Sequence, residues 1–198
     1  WVGWPGLPDV APEPFTQGKT YYVPVAQSEQ DLVEFYEGFS NATIWPLYHD
    51  VIVHPEYHRE WWDRYQDGNK RFAAAAAAVA SEGGFVWVHD YQLQLVPQML
   101  RKLRPDLKIG YFHHIPFPGY DLFAQLPWRA EILHGLLGAD VVGFQRESDA
   151  ENMRHAISRN LGYSMQEHIV RVPVNAGPKR GRIAPPPTAS KTRLVTVD

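Results

Sequence analysis

The spacing of apolar and polar positions changes several times along the chain, and each change predicts an element. Residues 1–18 hold no sustained apolar period and are rich in Gly and Pro, which predicts loop. Tyr21-Tyr22-Val23-Pro24-Val25 is aromatic and β-branched enough for a short strand, with Pro24 keeping it at a sheet edge. Ser28-Glu29-Gln30-Asp31 has the form of a helix N-cap with an acidic third position. Leu32, Phe35, Tyr36 and Phe39 follow at i, i+3, i+4 and i+7, one buried helical stripe. A second helix is expected from about Arg59 to Ser81, carrying Trp61, Trp62, Tyr65 and Phe72 ahead of the alanine run Ala73–Ala78. Gly83-Gly84 ends it.

From Phe85 the pattern becomes regular. Phe85-Val86-Trp87-Val88 is a short, wholly apolar run, as expected of a strand buried on both faces. A helix follows with Leu93, Val96, Leu100 and Leu103 inward, and Pro97 fits its first turn, where a missing N–H costs nothing. Arg101, Lys102 and Arg104 sit at its C-terminal end, where the helix dipole favours cations, and Pro105 stops it. Strand Lys108–Phe112, a helix from about Asp121 to Leu137, and strand Asp140–Phe144 come next. The last helix is capped by Ser148 with Glu151 three residues on, buries Met153, Ala156, Ile157 and Leu161, and closes at Gly162. Strand and helix alternating three times imply an α/β fold: a Rossmann-like parallel sheet flanked by helices, joined by right-handed crossovers. Residues 1–174 form this domain; 175–198, rich in Pro, Gly and basic residues at first, read as loop or linker, with Arg193–Val197 able to begin another strand.

Composition narrows the function. Of 198 residues 44% are apolar and 13% aromatic, enough for a sizeable core, so the chain is not disordered. Lys plus Arg number 19 against 22 Asp plus Glu, a net charge of -3 without a basic cluster, which disfavours nucleic acid as a partner. The absence of cysteine excludes a disulfide scaffold, a thiolate nucleophile and a Cys-based zinc site. No run has the length of a membrane span. No Met precedes Met99, and the expectation is an excerpt of a longer, soluble, cytoplasmic protein.

In open parallel sheets ligands bind beyond the carboxyl ends of the strands. Three strands here run into polar residues at that end: His89-Asp90-Tyr91, His113-His114-Ile115-Pro116-Phe117-Pro118 and Gln145-Arg146-Glu147. Neighbouring strands would bring Asp90, His114 and Gln145 to one rim. Pro116 and Pro118 stiffen the second loop, which would hold His114 with little entropy lost on binding. The plainer alternative is that these residues cap helices and satisfy loop backbone.

Asp90 within Val86-Trp87-Val88-His89-Asp90-Tyr91-Gln92-Leu93, and Gly110-Tyr111-Phe112-His113-His114-Ile115-Pro116-Phe117-Pro118, resemble the trehalose-6-phosphate synthase family. So do Phe39-Ser40-Asn41-Ala42-Thr43-Ile44-Trp45-Pro46 and Gly143-Phe144-Gln145-Arg146, and the motifs run in order from Trp1 to about Gly162. The resemblance implies a retaining GT-B glycosyltransferase, two Rossmann-like halves with the site between them, of which this chain is most of the N-terminal, acceptor-side half. It implies glucose transfer from UDP-glucose to glucose 6-phosphate, giving α,α-trehalose 6-phosphate, with no metal and no cofactor. A glycine-containing loop with a basic residue would lie before Trp1, and an Arg/Lys diphosphate clamp after Asp198, so the excerpt alone would be inactive. By the same resemblance Tyr36 and Trp45 would contact the acceptor's phosphate and sugar, and Asp90 would orient the attacking hydroxyl. His114 would hydrogen-bond the donor glucose, and Gln145 would be a further substrate contact. The resemblance implies a front-face displacement, the departing phosphate oxygen taking the acceptor's proton; at the strand ends Asp90 is the one obvious carboxylate, with Glu147 near in sequence, where retaining glycosidases use two. The expected partners are glucose 6-phosphate, a nucleotide-glucose and further copies of the chain. UDP, ADP and GDP all remain open as the donor's nucleotide.

Two other classes compete. A metal hydrolase would use the four-residue spacing of His54 and His58, but Pro55 disfavours a helix there and no His-Glu-x-x-His motif exists. A non-catalytic sugar-phosphate-binding or regulatory domain could use the same fold, since fold alone does not fix activity.

Overall fold

The computed structural model describes residues 1–10, 12–174 and 192–198. The first eighteen residues are more structured than their composition suggests. Strands β1 (Val2–Gly3) and β2 (Phe15–Gln17) flank β3 (Thr20–Pro24), parallel and antiparallel respectively, so the segment expected at an edge is central in a small sheet. Pro24 is tolerated because the β3 donors toward β1 are Val23 and Val25, each 2.8 Å from its acceptor, while β2 pairs only with Thr20–Tyr22.

Ser28 caps α1 (Glu29–Asp31) as expected. Its Oγ accepts from the Asp31 N–H at 3.0 Å and the Asp31 carboxylate accepts from the Ser28 N–H at 2.8 Å. Beyond this turn the chain widens into a π-helix over Leu32–Ile44 before tightening again in α2 (Trp45–Tyr48). The wider winding buries Phe35, Gly38, Phe39, Ser40, Thr43 and Ile44. It also turns Tyr36 outward, 37% exposed, where the 3.6-residue period had put it in the core stripe. Helix α3 (Arg59–Val79) buries Trp62, Tyr65, Asn69, Phe72, Ala73 and Ala76. It stops short of Ser81, where the Arg104 guanidinium reaches across to the Ala77 and Ala80 carbonyls at 2.9 and 3.0 Å.

The main sheet comprises β4 (Phe85–His89), β5 (Lys108–Phe112), β6 (Val141–Gly143), β7 (Met165–Gln166), β8 (Ile169–Pro173) and β9 (Thr192–Val197), in the order β4-β5-β6-β9-β8-β7. Strands β4, β5, β6 and β9 run parallel; β8 and β7 extend the sheet antiparallel. Thr192–Val197 therefore belongs inside the sheet rather than to a linker over 175–198, and the intervening 175–191 lie outside the described residues. The expectation that β4 is buried on both faces fails. It lies at the edge, and Phe85 and Trp87, on one face of its pleat, are 60% and 56% exposed among the described residues.

A 3-10 turn over Tyr91–Leu93, which takes Leu93 out of the helix expected there, and helices α4 (Val96–Leu103), α5 (Tyr120–Phe123), α6 (Arg129–Leu136) and α7 (Glu147–Leu161) complete the described elements. One helix was expected over 121–137, but Pro127 lies in the break between α5 and α6. Leu103, in the last turn of α4, faces solvent rather than the core. Ser148 is the second residue of α7, not its cap, while Gly162 closes that helix at φ 64° as expected. Helix α6 packs on α4, and the turn after it comes so close that a Cβ at Gly138 would sit 2.1 Å from the Gln98 nitrogen.

Candidate active site

The strand ends are level. His89 pairs with Phe112 and Phe112 with Gly143, so the residues that follow leave the sheet together. The Asp90 N–H still donates to the Phe112 carbonyl (2.9 Å), but its backbone then turns to φ 72°, ψ 170°. That region is nearly reserved for glycine and costs roughly 1–3 kcal/mol for any other residue. The turn lets Asp90 Oδ1 accept from the Tyr91 and His114 N–H groups, at 2.9 and 3.2 Å. Gln145 Nε2 donates to the His114 carbonyl at 3.0 Å. Asp90, His114 and Gln145 thus share one rim, stitched across three strands, as the sequence predicted. Asp90 Oδ2 has no hydrogen-bond partner among the described residues.

A buried network holds the turn that carries Asp90. Tyr65 Oη donates to the Tyr91 carbonyl at 2.7 Å, and Asn69 bridges the Gln92 carbonyl (2.9 Å) and the Leu95 N–H (3.0 Å). Gln94, also buried, donates to the Tyr91 carbonyl and accepts from Tyr48 Oη at 2.9 Å. Burial raises the Tyr48 and Tyr65 phenols, so both act as neutral hydrogen-bond groups. Tyr48, Tyr65 and Asn69 lie far from Asp90 in sequence, and of the network only Tyr65 was singled out there, as a helix residue.

Tyr91 Oη donates to Asn41 Oδ1 at 2.9 Å, tying the π-helix to the Asp90 turn. Burial, then Asp90, then Tyr36 push the Tyr91 phenol up to about 12. Tyr36 and Trp45, on either side of Asn41, are both exposed; Tyr36 leans on Trp4 (ring centroids 5.7 Å) and Trp45 stacks on His49 (4.1 Å). Among the described residues neither hydrogen-bonds the rim trio; the helical segment that carries both is tied to the Asp90 turn by the Asn41–Tyr91 bond.

The two adjacent histidines part company. His114 is on the rim, whereas His113, read with it as a strand-end polar residue, is fully buried among Tyr48, Phe117 and Phe144, with Nδ1 2.8 Å from Tyr111 Oη. Desolvation, and secondarily His114, lower its pKa to about 3, so it stays neutral. His89, named from the sequence as part of a polar strand end but given no role, places Nδ1 2.9 Å from His114 Nε2.

Other features contribute less. A groove of about 540 Å³ between β1 and β4 ends at His89 and Asp90, but its walls (Trp1, Val2, Phe72, Val86, Val88) are apolar and suit no sugar phosphate. His54 and His58 precede α3 in non-helical chain, so their spacing makes no helical metal pair. Glu147, His168 and Asp198 cluster, yet Arg154 already pairs with Glu147 and lies 3.2 Å from His168.

Four parallel strands with a polar rim at their carboxyl ends make a Rossmann-like sheet, and the solved structures it resembles are GT-B trehalose-phosphate synthases. The sequence matches Glycosyltransferase family 20 over residues 1–177, past the limit near Gly162 suggested by the motifs, and the chain belongs to that family. It is 60% identical over 168 residues to the trehalose-6-phosphate synthase of Mycolicibacterium vanbaalenii, covering 82% of this chain and 34% of that protein. Among solved structures it is similar to an α,α-trehalose-phosphate synthase (UDP-forming) from Burkholderia xenovorans in complex with glucose-6-phosphate. There the TM-score is 0.78 at 29% identity, covering 86% of this chain and 39% of the other. It is also similar to a structure from E. coli bound with UDP-2-fluoro glucose, TM-score 0.77 at 32% identity, covering 84% and 38%. The chain thus spans about a third of the length of such relatives.

Proposed function

We propose that the protein carrying this chain is a trehalose-6-phosphate synthase. It transfers glucose from UDP-glucose to the anomeric hydroxyl of glucose 6-phosphate with retention, and this chain supplies the acceptor-side wall of the site. Relatives of that name, and similar structures solved with glucose-6-phosphate or UDP-2-fluoro glucose bound, support the substrate classes. The observation that carries the reading is Asp90. Its glycine-like backbone turn is costly, and it spends Oδ1 on two backbone donors while leaving Oδ2, without a partner among the described residues, for a ligand hydroxyl.

In this reading Asp90 Oδ2 accepts a hydrogen bond from the acceptor and aims its attacking oxygen. His114 and Gln145 hydrogen-bond the sugars at the rim, and Tyr36 and Trp45 hold the acceptor's phosphate and ring. The acceptor oxygen bonds to the donor's anomeric carbon as the bond from that carbon to the diphosphate oxygen breaks. The departing oxygen takes the acceptor's proton on the same face. The chain contributes positioning and electrostatics, with no covalent intermediate. The domain acts within the longer protein and is inactive alone, and the assembly is homo-oligomeric. In the full-length protein, Asp90→Ala abolishes glucose transfer while leaving a folded protein by circular dichroism; near-normal turnover in a folded Asp90→Ala protein would overturn the assignment.

A further inference from the structure

His89 lies outside every role assigned above, yet among the described residues it is the side chain that hydrogen-bonds the His114 ring. Its Nδ1 is 2.9 Å from His114 Nε2, with the two rings 24° from parallel. Trp87 packs along the other side of the His89 ring, centroids 6.0 Å apart and 19° from parallel, and the edge of Phe112 meets His114 at 4.9 Å. The pair is therefore held as a unit at the top of β4 and β5. Desolvation, with His114 as the next cause, lowers the His89 pKa and keeps that ring neutral.

A neutral imidazole carries one hydrogen on one nitrogen, and the hydrogen bond made by the first nitrogen decides what the second can do. Because His89 occupies Nε2 of His114, the nitrogen left for a ligand is Nδ1, which has no protein partner among the described residues. We propose that His89 is a positioning residue: its Nδ1–H donates to His114 Nε2, fixing His114 as the Nδ1–H tautomer that donates to an oxygen of the bound nucleotide-sugar. The inference rests on the reading of His114 as a donor-sugar contact and adds which atom makes it and what sets its hydrogen.

The test uses the full-length protein with the side chain at 89 varied. His89→Asn keeps an N–H donor where Nδ1 stands, His89→Leu removes it, and His89→Asp substitutes an acceptor that demands the opposite tautomer. With UDP-2-fluoro glucose bound, 15N spectra of histidine-labelled protein should show His114 Nδ1 pyrrole-like in the wild type and in His89→Asn. In His89→Leu and His89→Asp that state should be lost, Nδ1 turning pyridine-like or the ring taking a second hydrogen on Nε2. Turnover should fall on the order of tenfold or more for Leu and Asp, with little change in the KM for glucose 6-phosphate, and should recover within about threefold for Asn. An unchanged His114 signal in His89→Leu would overturn the proposal. So would His89→Asp turning over at the wild-type rate. A protein that transfers no glucose at all removes the functional reading, while the tautomer measurement still decides the role of His89.

Discussion

Asn69→Ala probes how the fold holds the Asp90 turn. Asn69 is fully buried on α3, with Nδ2 2.9 Å from the Gln92 carbonyl and Oδ1 3.0 Å from the Leu95 N–H. Alanine leaves that amide, in a buried stretch of chain, with no partner, at about 1–3 kcal/mol, and the half-buried Gln92 carbonyl adds about 1 kcal/mol more. The expected loss is about 2–4 kcal/mol, seen as a lower urea midpoint at unchanged slope. The melting temperature should drop by about 4–16 °C for a chain of this size. Lys70→Ala, the exposed neighbour, should stay within about 0.5 kcal/mol of wild type. If Asn69→Ala proved no more costly than Lys70→Ala, the network would not be what fixes the turn.

Three further outcomes follow from the geometry. His113 and His134 are held neutral, at about 3 and about 4, by burial, so the unfolded chain binds protons the folded one does not. Stability is therefore greatest above pH 6.5 and falls as pH drops toward 4, by roughly 1.4 kcal/mol per pH unit for each histidine; replacing His134 with Gln should remove half of that slope in denaturant titrations. Gly138→Ala drives a Cβ into the Gln98 backbone and should prevent α6 from seating on α4, leaving a poorly folded or insoluble protein; wild-type stability would contradict the packing. Tyr36→Phe should raise the KM for glucose 6-phosphate roughly ten- to hundredfold through a lost phosphate hydrogen bond, with kcat far less affected, in steady-state assays of the full-length protein.

Strands β4, β5 and β6 were legible because Val86, Val88, Ile109, Tyr111 and Val142 stand in short apolar runs bounded by turn residues, and the polar residues after them marked the rim. What the sequence hid was set by long-range partners. Phe85 and Trp87 read as buried because an apolar residue looks alike on a central and an edge strand. The outward turn of Tyr36 depends on π-helical winding, which shifts the stripe while leaving composition unchanged. Val170 and Val172 alternate with Ile169 and Arg171 in a pattern that was readable, but β8 is stabilised by pairing with β9, across residues whose composition says loop. Asp90 was found by its place after a strand; its strained backbone, the stronger sign, has no sequence signature in a non-glycine residue.

The most direct test of the rim is a crystal structure of the full-length protein with UDP-2-fluoro glucose and glucose 6-phosphate bound together. The account predicts an acceptor hydroxyl within about 2.6–3.2 Å of Asp90 Oδ2, and His114 Nδ1 on the donor sugar. Both sugars bound, with neither Asp90 nor His114 touching them, would contradict it.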